Sequence, residues 1–236
     1  MKLIDLLFPR RCAVCGRKVD REARQICGEC LMRLSFLPTD GCCRVCSRPV
    51  EGVDGEYLCE DCGRLHVPHF DRAVQVFRSE GDAYALILEF KFRGGFHLRD
   101  DLVDFLEAVV RARLRAEEID IVTGMPLTLP HRWRRGYNPT EMLARPLASR
   151  LDRMYRMLLA RVGNPKQQST LSEAERRVNV INTFAVRHPE YVRGRTVLVV
   201  DDVMTTGSTL SEAARVLKAA GARRVWCAAL GRSVRV

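Results

Sequence analysis

The chain has 236 residues, of which 47% are hydrophobic and 29% are charged, and its formal net charge is +10. This composition is typical of a soluble globular protein and excludes a membrane-spanning helix, because no run of about 18 apolar residues occurs. Since domains usually have about 100 to 150 residues, we expect one sizeable domain and one small domain. The apolar N-terminus contains Asp5 and is followed by no cleavage site of the signal-peptide type, so we expect a cytoplasmic protein.

Eight of the ten cysteines form four Cys-x-x-Cys pairs near the N-terminus, and the pairs recur after about 31 residues. In a chain without an export signal, this spacing indicates metal ligation rather than disulfides. Two such pairs complete one tetrahedral zinc site with four thiolate ligands. Sequential pairing predicts two zinc sites, one formed by Cys12, Cys15, Cys27 and Cys30 and the other by Cys43, Cys46, Cys59 and Cys62. Two alternatives stay open at this point: a cross-brace that joins the first pair to the third, and an exchange of Cys42 for Cys43.

The predicted zinc sites are structural, because protein thiolates fill all four coordination positions. Zinc then replaces a hydrophobic core that is too small to fold alone. The alternative is that these knuckles contact DNA or a partner protein. Residues 67–70 are typical of a linker, so we predict a zinc-binding module at residues 1–66 and a second domain at residues 67–236. The isolated Cys227 is predicted to be an ordinary buried residue.

Strand and helix patterns alternate in the second domain. Strands are predicted at residues 73–78, 119–124, 156–162, 196–200 and 224–230, and helices at residues 82–92, 102–110, 141–151 and 208–220. This alternation predicts an α/β fold with a doubly wound parallel sheet. Residues 164–177 form a polar loop whose length is typical of a functional or disordered segment.

The strongest chemical motif follows the predicted strand at residues 196–200. Asp201 and Asp202 lie at the end of this strand, and the 205–209 segment, which reads Thr-Thr-Gly-Ser-Thr, leads directly into a helix. Backbone N–H groups at a helix N-terminus bind anions, and Gly207 allows a phosphate to approach the backbone closely. The two carboxylates would repel a bare phosphate unless they bind sugar hydroxyls. The motif therefore predicts a ribose 5-phosphate site, since a merely capped helix would not need the aspartate pair.

The positive charge is concentrated in residues 131–195, which contain 14 Lys or Arg residues against 5 Asp or Glu residues. A local basic excess favours a polyanionic partner, although solvated surface arginines are the simpler explanation. Cations also alternate with aromatic rings that could stack on the bases of single-stranded DNA. The candidate nucleic-acid-binding residues are Arg132, Trp133, Arg134, Arg135 and Tyr137.

The aspartate pair and the 205–209 segment closely resemble the phosphoribosyl pyrophosphate signature of type I phosphoribosyltransferases. The whole chain resembles the ComF family, the competence protein F group of amidophosphoribosyltransferase-like proteins. This resemblance extends over residues 6–12 with the four knuckles, residues 88–94 and 134–138, and residues 168–179. It implies a type I phosphoribosyltransferase fold that binds phosphoribosyl pyrophosphate with Mg²⁺.

The resemblance also implies roles for individual residues. Asp201 and Asp202 would bind the ribose hydroxyls, and the turn of residues 125–127, with Pro126 and Leu127, would be the pyrophosphate loop. Further phosphate contacts are predicted for Lys91, Arg135 and Arg176. The residues that would bind the 5-phosphate are Thr205, Thr206, Gly207, Ser208 and Thr209.

If the protein is an enzyme, Mg²⁺ bridges pyrophosphate and ribose hydroxyls, and a nucleophile attacks C1 as pyrophosphate leaves. Asp201 and Asp202 would then be the catalytic residues, and no residue identifies the acceptor. The resemblance links the chain to DNA uptake in natural transformation. Two alternatives are a catalytically silent protein that binds single-stranded DNA, and an adaptor whose zinc module docks a helicase or an uptake channel.

Overall fold

The computed structural model describes residues 10–19, 24–50, 52, 55–127, 136–162 and 182–233. Within these ranges, no helix has both the length and the apolar character that crossing a membrane requires. The cysteine-rich part contains the helix α1 and two short parallel strands, β1 and β2. Their bounds are Gly28–Arg33 for α1, Cys42–Cys43 for β1 and Glu56–Tyr57 for β2.

The remaining elements alternate between strand and helix. Five strands form one sheet in the order β3-β9-β8-β4-β5, and all neighbours in it are parallel. In chain order, the elements are β3 (Arg72–Arg78), α2 (Gly81–Phe92), α3 (Arg99–Arg113), β4 (Ile121–Gly124), α4 (Pro139–Arg150), β5 (Met154–Tyr155), β6 (Leu159–Arg161), β7 (Phe184–Val186), β8 (Thr196–Met204), α5 (Ser208–Ala219) and β9 (Arg224–Arg232).

The central strand β8 is buried on both faces. Leu198 and Val200 pack on the side of α2, α3 and α4, whereas Val197 and Val199 pack on the side of α5 and the β6–β7 hairpin. This alternation follows from the period of two along a strand, and an apolar run on every residue is typical of a parallel sheet with two covered faces. The predicted doubly wound α/β fold is therefore confirmed.

The chain between α4 and β8 differs from the prediction. The strand predicted at residues 156–162 contains only β6, which pairs antiparallel with β7, whereas β5 lies just before this range and pairs with β4. The chain breaks between β5 and β6. Between them, the Leu158 N–H donates to Thr123 Oγ1 at 3.1 Å, and the chain then leaves the sheet. The apolar run could not reveal this break, because both pieces have strand composition and only their partners differ. The strand β7 was not predicted.

The cysteine-rich part covers the outer edge of β3. Backbone hydrogen bonds run from Leu37 N to Val76 O at 2.8 Å and from Ala73 N to Val45 O at 2.7 Å. An exposed strand edge promotes association with other chains, and these bonds pair it instead. Cys12 and Cys30 pack in the core on the α2–α4 side, whereas the second group of cysteines packs on the α5 side. The boundary near residue 66 stays a prediction.

Candidate functional site

The eight knuckle cysteines lie in two groups that match sequential pairing. The first group is Cys12, Cys15, Cys27 and Cys30, the second is Cys43, Cys46, Cys59 and Cys62, and the sulfur atoms of each group lie within 4.8 Å of one another. A tetrahedral zinc site with Zn–S bonds of about 2.3 Å has S–S edges of about 3.8 Å. The Cys15–Cys27 and Cys46–Cys59 sulfur separations are 3.7 Å and 3.8 Å. Both groups therefore fit zinc, and the cross-brace alternative is excluded.

The recurrence of the cysteine pairs after about 31 residues is visible in the backbone of the two cysteine groups. Cys12 N donates to Arg17 O at 2.7 Å, and Cys43 N makes the equivalent bond to Arg48 O at 2.8 Å, 31 positions further along the chain. Cys27 N donates to Cys12 Sγ at 3.3 Å, and Cys59 N donates to Cys43 Sγ at 3.4 Å. Such N–H donors stabilise metal-bound thiolates, so both halves have the same structural design.

Cys42 does not belong to the second group. Its Sγ donates to the carbonyl oxygens of Pro38 and Asp40 at 3.3 Å and 3.4 Å, so its side chain already has partners away from the metal ligands. The structure therefore assigns Cys43 as the ligand. Cys227 is fully buried on β9, as predicted. Contacts of the knuckles with DNA or a partner stay a prediction.

The 205–209 segment joins the end of β8 to the start of α5. Gly207 has a φ of +80°, and a Cβ at this position would lie 2.7 Å from Met204 Cε. The backbone conformation thus favours glycine here, and the flexible end of Met204 would have to move to admit a side chain. Thr206 Oγ1 lies 2.7 Å from Ser208 Oγ and accepts from Ser208 N at 3.3 Å. The segment is therefore a compact turn at the N-terminus of a 12-residue helix, where anions bind favourably.

The two carboxylates leave β8 on opposite faces of the sheet, because they are adjacent in a strand. On the α2 side, Asp202 Oδ2 lies 2.6 Å from Lys91 Nζ. On the other side, Asp201 Oδ1 accepts from the backbone N–H of Asp202 at 2.9 Å. Burial, together with the charge of Asp202, raises the pKa of Asp201 to about 7, although Lys91 and Arg161 act in the opposite direction. Asp201 is therefore partly protonated near neutral pH.

Arg161 on β6 is a site residue that the sequence analysis did not identify. Its charge favours the ionised form of Asp201, and burial lowers the pKa of the Arg161 guanidinium. The guanidinium lies 5.4 Å from the ring centroid of Phe184, and its buried Nε has no hydrogen-bond partner within the described residues. Lys91 is thus paired with Asp202 and also acts on Asp201, while Arg161 adds a smaller charge effect on Asp201. The sequence did contain a signal for Arg161, because it is a single arginine between apolar residues in the segment 157–162.

The turn of residues 125–127 lies at the carboxyl end of β4, beside β8. Met125 N donates to Val200 O at 2.9 Å, while the Met125 carbonyl accepts from Thr140 Oγ1 at 2.6 Å and from Asn138 Nδ2 at 3.1 Å. A Cβ at Gly124 would lie 3.0 Å from the backbone of Thr140, so α4 approaches the strand closely here. Pro126 and Leu127 therefore lie at the same end of the sheet as the two carboxylates, where the strands finish. Their role in binding pyrophosphate stays a prediction.

Tyr137 has contacts that anchor it to α2. Its hydroxyl is shared between the carbonyl oxygens of Phe90 and Lys91, each at 3.1 Å, and its ring packs edge-on against Phe96 at 4.7 Å. These contacts give Tyr137 a structural role, and base stacking stays a prediction. The other candidate nucleic-acid and phosphate contacts lie outside the described residues, namely Arg132, Trp133, Arg134, Arg135 and Arg176.

Comparison with known proteins identifies both parts of the chain. The double zinc ribbon domain family matches residues 3–63, and the phosphoribosyl transferase domain family matches residues 140–232. Among solved structures, the allosteric regulatory enzyme of purine biosynthesis has 21% identity and a TM-score of 0.42, covering 61% of this chain and 30% of that one. Adenine phosphoribosyltransferase from Thermoanaerobacter pseudethanolicus has 17% identity and a TM-score of 0.37, covering 60% of this chain and 83% of the other.

Two relatives match over most of their length. DNA utilization protein YhgH of Escherichia coli K12 is 32% identical over 219 residues, which cover 86% of this chain and 95% of that protein. Competence protein F of Haemophilus influenzae is 30% identical over 234 residues, which cover 96% of this chain and 98% of that protein. With this identity over nearly its whole length, the chain belongs to the competence protein F family.

Proposed function

We propose that the protein binds phosphoribosyl pyrophosphate, or a ligand with the same phosphoribosyl group, at the carboxyl end of β8. The observation that carries this proposal is the position of the Asp201–Asp202 pair near the end of β8, two residues before the compact turn at the start of α5. Backbone N–H groups of the turn suit a phosphate, and carboxylates suit hydroxyl donors. A ribose 5-phosphate carries both groups within one small molecule.

The remaining parts of the ligand extend along the same sheet edge. The 5-phosphate contacts the 205–209 segment, the ribose hydroxyls donate to the carboxylates, and the pyrophosphate extends toward the turn of residues 125–127. Carboxylate oxygens and phosphate oxygens are the ligands that Mg²⁺ prefers, so the donor set fits this ion. When bound, Mg²⁺ neutralises the charge of the pyrophosphate and favours its departure.

Lys91 supports the proposal because it prepares the site for an anion. Paired with Asp202 at 2.6 Å, its ammonium group offsets a carboxylate that would otherwise repel the ligand. When ribose hydroxyls donate to Asp202, this ammonium group becomes available to the pyrophosphate. Arg161 contributes a smaller charge effect that favours the ionised form of Asp201.

The names of the relatives suggest a cellular role. Competence protein F and DNA utilization protein YhgH are named for competence and for DNA utilization, and we extend a role in DNA uptake to this chain. The basic excess in residues 131–195 favours a second candidate function, the binding of single-stranded DNA without catalysis. In that case the protein reuses the fold as a binding or adaptor module.

Calorimetric titration with phosphoribosyl pyrophosphate and Mg²⁺ tests the first proposal. The unmodified protein should bind one ligand per chain, and the double variant Asp201→Asn, Asp202→Asn should bind it at least about tenfold more weakly, the equivalent of about 1.4 kcal/mol. Asp120→Asn is the matched control, because Asp120 lies at the amino end of the same parallel strands, far along β8 from the site. There it accepts a hydrogen bond from Thr196 N at 2.7 Å. Equal affinity in the double variant and the unmodified protein would refute the site.

A further inference from the structure

Arg232, at the end of β9, connects the second zinc site to the sheet. Its side chain is buried, with 3% of the residue exposed, and Nη1 donates to Cys46 O at 2.6 Å. Nη2 lies 3.7 Å from Cys46 Sγ. A zinc ion with four thiolates has a net charge of about −2, and a buried guanidinium needs a partner of opposite charge. The metal site and the arginine therefore stabilise each other.

The same arginine lies beside the residue that supports the 205–209 segment. Arg232 and Met204 are register partners in β9 and β8, and Ser233 N donates to Met204 O at 3.1 Å. Met204 also accepts a hydrogen bond at Sδ from Gln75 Nε2 at 3.2 Å. Its Cε occupies the space that a Cβ at Gly207 would need. Contacts thus run without interruption from the metal ligand to the turn.

A second set of contacts attaches this zinc site to β3. Ser47 is fully buried and has a positive φ, and its Oγ donates to Ala73 O at 2.7 Å. All four ligands of the second site pack in the same core as Met204, Leu210 and Phe70. Phe70 in turn lies 3.6 Å from the Cβ position of Gly207. The predicted linker therefore contributes directly to the packing beneath the turn.

The first zinc site is attached elsewhere. Gln25 N donates to Asp101 Oδ2 on α3 at 2.6 Å, and Arg24 pairs with Asp104 at 3.0 Å. Cys12 and Cys30 pack in the core on the α2–α4 side. In the part of the chain that the structure describes, no hydrogen bond joins this site to the 205–209 segment.

We infer that the second zinc site holds the 205–209 segment in its folded conformation through Arg232 and Met204, and that the first zinc site does not. Arg232 is thus a positioning residue. Loss of the second zinc removes the charge partner of Arg232, frees the strand ends and loosens the turn. Metal occupancy of only one of the two similar zinc sites then controls whether the 205–209 segment is well ordered. This inference concerns the backbone of the protein and does not require that a phosphoribosyl ligand binds there.

Hydrogen–deuterium exchange on the ligand-free, zinc-loaded protein tests the inference. Arg232→Met should release one of two zinc ions to a chelator about tenfold faster, as expected for a residue that supports a metal ligand. Amides of the 205–209 segment should exchange at least about tenfold faster, while those of β4 keep their protection and report that the sheet is folded. Arg232→Lys, which keeps the charge, should give intermediate values.

Arg33→Met is the matched control, since Arg33 Nη2 donates to Cys30 Sγ of the first site at 3.4 Å. This variant should leave exchange in the 205–209 segment unchanged. If Arg232→Met does not fold, stepwise chelation of the unmodified protein replaces it, with alkylation of Cys15 and Cys46 reporting which site has opened. Faster exchange should accompany Cys46 alkylation only. Unchanged exchange when the second site opens, or equal acceleration when the first site opens, would overturn the inference.

Discussion

Lys91 Nζ lies 2.6 Å from Asp202 Oδ2, and this ion pair joins the last turn of α2 to the carboxyl end of β8. Only 24% of the lysine side chain and 11% of the aspartate side chain are exposed. Removing one member of a buried pair leaves an uncompensated charge, which costs far more than losing a surface pair. The pair therefore has two effects: it stabilises the contact between α2 and the carboxyl end of β8, and it reduces the negative charge of the proposed site.

Lys91→Met should lower the free energy of unfolding by about 1 to 3 kcal/mol, a value reduced from that of a fully buried pair because solvent reaches the site. It should also weaken binding of phosphoribosyl pyrophosphate about tenfold, since the carboxylates lose a compensating charge. Lys218→Met is the control, because Lys218 pairs with Asp71 at an exposed position and should contribute at most about 0.5 kcal/mol. Denaturant unfolding and calorimetry measure the two effects, and equal behaviour of both variants would contradict the prediction.

The pKa of Asp201 predicts a pH-dependent effect of Asp201→Asn. Because the folded-state pKa is about 7 and the unfolded value is the ordinary 3.8, folding favours the protonated form. Ionising Asp201 therefore lowers the free energy of unfolding of the unmodified protein. This loss is absent below pH 3.8, grows by at most about 1.4 kcal/mol per pH unit, and is complete above pH 7. The asparagine variant should therefore gain stability relative to the unmodified protein as the pH rises. Denaturation at pH 5.5 and pH 8 checks this, and an identical difference at both values would count against it.

Gly207→Ala should weaken ligand binding and lower stability by about 1 to 2 kcal/mol, because the new Cβ adds backbone strain and displaces the Met204 methyl group. Gly194→Ala separates the two effects. Gly194 has a φ of +73° and no atom within 4 Å of the Cβ position, so this variant should cost about 1 kcal/mol and keep full affinity. Thermal unfolding and calorimetry of both variants measure the contrast. Loss of binding in both would show that the close approach of Met204 is not the cause.

Zinc stoichiometry distinguishes sequential pairing from a cross-brace in solution. The double variant Cys15→Ser, Cys30→Ser damages only the first group and should retain one zinc per chain. Cys15→Ser combined with Cys62→Ser damages both groups and should retain none. Native mass spectrometry counts the bound ions. A complete loss of zinc in the first double variant would contradict the pairing, because a cross-brace places Cys15 and Cys30 in different sites.

The features that the sequence predicted well depend on short-range spacing. Each Cys-x-x-Cys pair, like the segment from Asp201 to the start of α5, consists of residues that are close in sequence. Such motifs can be recognised from the sequence because the local backbone alone brings their residues together. The unbroken apolar run at residues 196–200 likewise predicted a strand, and in the structure β8 is covered on both faces.

The features that the sequence did not predict depend on contacts between distant segments. Arg161 and Arg232 each end an apolar strand. Only the packing of β6 and β9 shows that Arg161 acts on the charge of Asp201 and that Arg232 donates to Cys46. The break between β5 and β6 was also hidden, since the residues on both sides of it favour a strand and the choice of partner is a tertiary effect.

Competition between ribose 5-phosphate and inorganic phosphate tests the central claim most directly. The proposed division of the site assigns the sugar hydroxyls to Asp201 and Asp202 and the phosphate to the 205–209 segment. The unmodified protein should bind ribose 5-phosphate at least about tenfold more tightly than inorganic phosphate, the equivalent of about 1.4 kcal/mol. The Asp201→Asn, Asp202→Asn variant should lose this preference while it still binds phosphate. If the variant keeps the preference, or if the unmodified protein has none, the carboxylates do not bind ribose and the account is contradicted.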